Sequence, residues 1–261
     1  MLEKHTIFIN GNTIGSDLDI MEVFMNEYAL LTYYIKYLKE IRKVSDTTVK
    51  HYQEALKYIS KYLVEKEQIS KTVYEIQDIG ELEVIKNYLY SDADFMALDK
   101  RGHQMYSAGF NNYFKFASGE GFSNIRNQIN ALDVEVPASE RTSISHSAWR
   151  RSSIIKVQSI KSAGYLCEID NSHKTFMAKA SGQQYMEGHH AIPMKKQESF
   201  KNSLDVYANV VCLCPICHRL LHYGIDEDKT ILIEQIYEDR GDRLAKSGIR
   251  LSKSEFKAMV I

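Results

Sequence analysis

The nine residues from Cys214 to His222, CPICHRLLH, constrain this chain more than any other stretch. Cys214 and Cys217 stand at knuckle spacing, from which two thiolates close on one tetrahedral zinc ion. Pro215 suits the first turn of a helix, where its missing N–H has no partner to lose. On that helix His218 and His222 lie four apart and share a face, so both imidazoles can converge on a single ion. One short element therefore offers ligands to two metal sites.

All four cysteines, Cys167, Cys212, Cys214 and Cys217, lie in the second half of the chain. The opening residues, MLEKHTIFINGN, lack a basic stretch followed by an apolar run, so no secretory signal is expected. No eighteen consecutive residues are apolar, which argues against a membrane span. Cytoplasmic residence is expected, and there such cysteines read as zinc ligands rather than disulfides.

Ahead of the helix come YMEGHHAIPM (185–194) and LDVYANVVCL (204–213). They predict a strand around 185–186 ending in His189-His190, a loop, and a second strand over 209–213. This order resembles the HNH (ββα-metal) endonuclease family over residues 165–224. That pattern has a His or Asp before a His on the first strand, an Asn before the second, and a His or Asn on the helix. The resemblance makes His190 the general base and His189, His218 and His222 the holders of a catalytic divalent ion. It makes Asn209 the acceptor that orients the His190 ring. Neighbouring histidines on a strand point to opposite faces, so one can ligate while the other takes a proton. Mg²⁺ is the expected ion, although Mn²⁺, Ni²⁺, Co²⁺ and Zn²⁺ also suit imidazole ligands.

Zinc-bearing relatives carry a second CxxC before the first strand, and this chain departs from them. It has Cys167, with Asp170 at the two-residue spacing and His173 further on. The structural zinc is therefore expected on Cys167, Cys214, Cys217 and His173, with Asp170 as the alternative to His173. Cys212 is expected in the core. The long stretch from Tyr185 to Gly224 looks most like bacterial restriction endonucleases, including those that attack modified DNA. A catalytically silent DNA-binding protein and a toxin nuclease are the alternatives.

The rest of the chain supplies the setting. Apolar periodicity predicts helices over 19–41, from a Ser45 cap onward, over 81–90 and over 105–116. Twelve tyrosines punctuate residues 28–113, and they suit either a helical core or a base-stacking surface. The expected class is α+β: a helical DNA-recognition domain (1–120), a linker (121–146), and a nuclease domain (147–261) with C-terminal helices. Residues 1–140 hold 15 Lys/Arg against 21 Asp/Glu, whereas 141–261 hold 18 against 13. A basic second half suits double-stranded DNA. Arg150, Arg151, Lys195, Lys196 and Arg219 are the expected DNA contacts. One such site cuts one strand, so double-strand cleavage implies a homodimer or two successive events.

Overall fold

A computed structural model describes residues 28–122, 128–138, 149 and 151–261, with the backbone of 8–9 and 12–13. Arg150, much of 121–146 and the start of the helix expected from residue 19 lie outside the described residues. Strands β1 (Phe8–Ile9) and β2 (Asn12–Thr13) pair antiparallel.

Five helices follow: α1 (Ala29–Lys36), α2 (Asp46–Glu65), α3 (Ile79–Ser91), α4 (Ala93–Arg101) and α5 (Met105–Ala117). Helix α1 runs on through a wider π turn over Tyr37–Ile41. Ser45 caps α2 as its sequence predicts, its hydroxyl accepting from the Thr48 amide at 3.2 Å. Asp92 ends α3 and caps α4, accepting from the amides of Asp94 and Phe95. Helix α4 escapes a periodicity reading because nine residues scarcely repeat an apolar face. Helices α2 and α5 pack closely at Gly109, where an added Cβ would stand 2.7 Å from the Ala55 Cβ. Tyr33, Tyr34, Tyr37 and Tyr113 are buried, while Tyr58 and Tyr90 are exposed. With Tyr74, five of the twelve are buried, and Tyr28, Tyr52, Tyr62, Tyr88 and Tyr106 pack half-buried against the core.

The second half contains α6 (Ser153–Ser162), β3 (Glu187–His190), β4 (Val210–Leu213), α7 (Pro215–Tyr223), α8 (Asp226–Lys246) and α9 (Lys253–Val260). Strands β3 and β4 pair antiparallel, with His189 opposite Val211 and His190 opposite Val210. The first strand therefore ends in the histidine pair, as its sequence predicts, but it spans 187–190 rather than starting around 185–186. Gly188 lets α6 lie against that strand: a Cβ there would sit 2.7 Å from Lys156 Cγ. Helix α8 is longer than its apolar spacing suggests. Asp226, Glu227 and Asp228 in its first turn and Arg243 and Lys246 in its last complement the helix dipole.

The class is α+β, and one hydrophobic cluster runs through both halves. The Tyr33 ring meets Tyr207 at 4.5 Å between centroids. Gln158, fully buried on α6, donates to the Phe116 carbonyl and accepts from the Tyr207 hydroxyl, each at 2.5 Å. Two ion pairs draw on buried charges: Arg243 holds Asp133 at 2.6 and 3.1 Å, and buried Arg240 pairs with half-buried Glu168. No helix among the described residues is long and apolar enough to cross a membrane.

Candidate functional site

Strands β3 and β4 and helix α7 form the frame of the site. Alternation along β3 puts Glu187 and His189 on one face and His190 on the other. His189 turns toward α7, where His218 and His222 share a face one turn apart. The three rings stand 4.9–5.0 Å apart between centroids, at steep mutual angles of 69–81°. One nitrogen from each lies within 4.8 Å of the others. The Nε2 atoms of His218 and His222 are 3.2 Å apart. Metal–nitrogen bonds of ~2.1 Å place neighbouring nitrogens about 3.0 Å apart in an octahedron and about 3.4 Å in a tetrahedron. The three imidazoles therefore fit one divalent ion and leave its coordination number open.

Electrostatics agree with a ligand role for these rings. Burial, reinforced by His218, His222 and His190, pushes His189 down to about 3. Burial and the His218 and Arg219 charges also hold His222 below the usual imidazole range. A neutral imidazole is the form that ligates. Glu187 pairs with Nδ1 of His218, which frees Nε2 for the cluster. Burial alone would raise the Glu187 carboxyl, but His218 and the Tyr185 hydroxyl, donating at 3.0 Å, hold it below its ordinary value. A carboxylate behind a ligating histidine fixes the ring's tautomer and orientation.

His190 has a different partner from the one its sequence context suggests. Its Nε2 lies 2.8 Å from Asp205 Oδ1, and both side chains are largely buried. Asn209 does not receive the His190 ring. Fully buried, its Oδ1 accepts from the Ile192 amide at 2.7 Å, and its Nδ2 donates to the carbonyls of Ile192 and Leu204. The Asn209 side chain thus staples the loop between the two strands. It supports the site by fixing that loop's two ends.

A second cluster lies at the N-terminus of α7. Cys167, His173, Cys214 and Cys217 bring one ligand atom each within 4.8 Å of the rest. Nδ1 of His173 is 3.6 Å from Cys214 Sγ and 3.4 Å from Cys217 Sγ. Zinc bonds of ~2.3 Å to sulfur and ~2.0–2.1 Å to nitrogen at tetrahedral angles place the two donors about 3.5 Å apart. The donor set fits zinc, and His173 rather than Asp170 completes it. Asp170 instead accepts from the Ser172 amide at 2.7 Å. Burial raises the Cys167 thiol, but amides of Cys214, Asp170 and Ile169 and the His173 ring outweigh it and hold the thiol low. Burial and the neighbouring thiols push Cys217 up. Three thiols so close cannot all ionise without a cation to share them. Cys212 is buried outside both clusters.

Of the expected DNA contacts, all but Arg150 lie among the described residues. Arg151 and Lys195 are exposed, Lys196 is half-buried in the turn over Met194–Ser199, and exposed Arg219 lies 5.8 Å from the centre of the Tyr223 ring. Sequence reasoning missed Glu187 and Asp205. The alternation of Glu187 with His189 was a usable signal for the first.

Residues 166–224 match the family model described as HNH endonuclease. Over 87 residues the chain is 32% identical to the type IV methyl-directed restriction enzyme EcoKMcrA of Escherichia coli strain K12. That similarity covers 33% of this chain and 28% of the relative. No solved structure matches the chain significantly. The strand pair, the helix with its histidines and the thiol-rich knuckle all fall within the matched stretch or at its edge, and residues 166–224 are an HNH endonuclease domain.

Proposed function

We propose that this protein is a metal-dependent DNA endonuclease of the restriction or defence type, and that it hydrolyses phosphodiester bonds in double-stranded DNA. The observation that carries this reading is the convergence of His189, His218 and His222 on one point, with His190 next along the strand and turned elsewhere. In this reading His190 is the general base that takes a proton from the attacking water. His189, His218 and His222 hold the divalent ion, Mg²⁺ by preference, with Mn²⁺, Ni²⁺, Co²⁺ and Zn²⁺ as substitutes. When bound, that ion neutralises charge on the phosphate and the leaving 3′-oxygen. Glu187 keeps His218 in its ligating tautomer, and Asn209 fixes the loop. Cys167, His173, Cys214 and Cys217 hold a structural zinc that braces the start of α7.

Residues 1–120 serve as the recognition domain, 121–146 as the linker and 147–261 as the nuclease domain. Arg150, Arg151, Lys195, Lys196 and Arg219 contact the DNA backbone. The protein works in the cytoplasm, and a homodimer delivers both strand cuts. The methyl-directed relative supports methylated DNA as the target. A plasmid-nicking assay on methylated and unmethylated substrate tests these points. His190→Ala lowers the rate about 10²-fold or more while DNA still binds, and His218→Ala abolishes metal-dependent cleavage. Full cleavage by His190→Ala removes the base assignment. Equal cutting of both plasmids removes the methyl preference.

A further inference from the structure

The carboxylate beside His190 has both oxygens committed. Oδ1 of Asp205 lies 2.8 Å from His190 Nε2, and Oδ2 accepts from the Ser152 amide at 2.6 Å. The Asp205 amide in turn donates to the Ser203 hydroxyl at 3.0 Å. Ser152 is the N-cap of α6, so the amide that grips Asp205 belongs to a fixed helix start. That start is itself held by the helical half. Ser153 donates its amide to the Gln77 carbonyl at 2.9 Å, and its hydroxyl donates to Asp78 Oδ2 at 2.9 Å. The Ile79 amide closes the set by donating to the Ser153 hydroxyl at 3.1 Å. A carboxylate clamped on two sides and largely shielded from water cannot follow the ring if the ring turns.

We infer that Asp205 is the positioning residue of the general base: it accepts the Nε2–H of His190, fixes that tautomer, and leaves Nδ1 as the ring's proton acceptor. The inference rests on the assignment of His190 as base. An ionised carboxylate only accepts hydrogen bonds, so the proton in the Asp205–His190 contact belongs to the ring. With Nε2 protonated in the neutral imidazole, the lone pair lies on Nδ1. Among the described residues Nδ1 of His190 has no hydrogen-bond partner, so it is available to an attacking water. Because the clamp passes through Ser152 and Ser153 to Gln77 and Asp78, the orientation of the base depends on how the helical half seats against α6.

Two readouts test this on the full chain loaded with zinc. In ¹⁵N-histidine NMR the wild-type His190 ring shows the Nε2–H tautomer, and Asp205→Asn, which can present an N–H to the ring, shifts it toward Nδ1–H. In nicking assays Asp205→Asn lowers kcat on the order of 10²-fold and leaves KM for plasmid within about twofold. An unchanged tautomer in Asp205→Asn overturns the inference. So does a loss confined to KM. If Asp205→Asn loses zinc or cooperative unfolding, Asp205→Glu, which keeps the charge, goes through the same measurements with wild-type tautomer expected and Nδ1–H overturning. Should His190→Ala cleave normally, the base assignment fails, whereas the tautomer measurement still decides whether Asp205 sets the ring.

Discussion

His189 carries the chemical strain of the site in a single ring. Packed against the imidazoles of His218 and His222 and buried, it stays neutral down to about 3, whereas an unfolded histidine takes up its proton near ~6.5. Between those values the unfolded chain binds a proton that the folded chain refuses, so stability falls as pH falls through that window. Thermal unfolding of the zinc-loaded protein, measured without added divalent ion from pH 7 to pH 4, should decline more steeply for wild type than for His189→Gln. Parallel curves would show that the ring is protonated in the folded state. At this scale the two side-chain clusters were legible because spacing encodes them: i, i+4 on a helix and CxxC at its start are local rules. Asp205 was not legible, because the residue that meets His190 depends on where a loop returns in space. The same cause misled the reading of Asn209, which faces Ile192 and Leu204 instead of His190.

Helix α7 is the element on which both ligand-atom clusters depend. Cys214 is its N-cap, with Sγ accepting from the Cys217 amide at 3.4 Å, and Pro215 opens its first turn. Leu221 and Cys217 are its buried side chains, whereas Ile216, His222 and Tyr223 are exposed. So thin an apolar face holds a short helix weakly, and an ion held at the knuckle would supply the rest. Cys217→Ser is therefore expected to lose the bound zinc and, with it, the register of His218 and His222 against His189. Metal analysis together with divalent-ion titration checks this, and tight Mg²⁺ or Mn²⁺ binding in a zinc-free variant would contradict it. Helix α2 was plain in the sequence because Ser45 announces it. Strand β3 was harder to bound. EGHH contains no β-branched residue and no Phe, Tyr or Trp, and its pairing with β4 alone makes it a strand.

At the scale of the molecule, a few buried polar contacts tie the parts together. Asp133, ahead of α6, and Arg243, near the end of α8, hold each other out of water. Burial raises the Asp133 carboxyl even beside that guanidinium. Asp133→Ala leaves an uncompensated buried charge and should cost about 3–5 kcal/mol; chemical denaturation measures it, and a cost below about 1 kcal/mol would mean that Arg243 finds water. None of these long-range pairs is visible in sequence, where acidic and basic residues read as surface. The continuous core has a consequence for descent. Tyr33 against Tyr207, and Gln158 between Phe116 and Tyr207, mean that a crossover joining this second half to a foreign helical half would leave each with an unmatched face. The two halves can be inherited together and can drift together, but a productive breakpoint between them must bring along a matching set of aromatic partners.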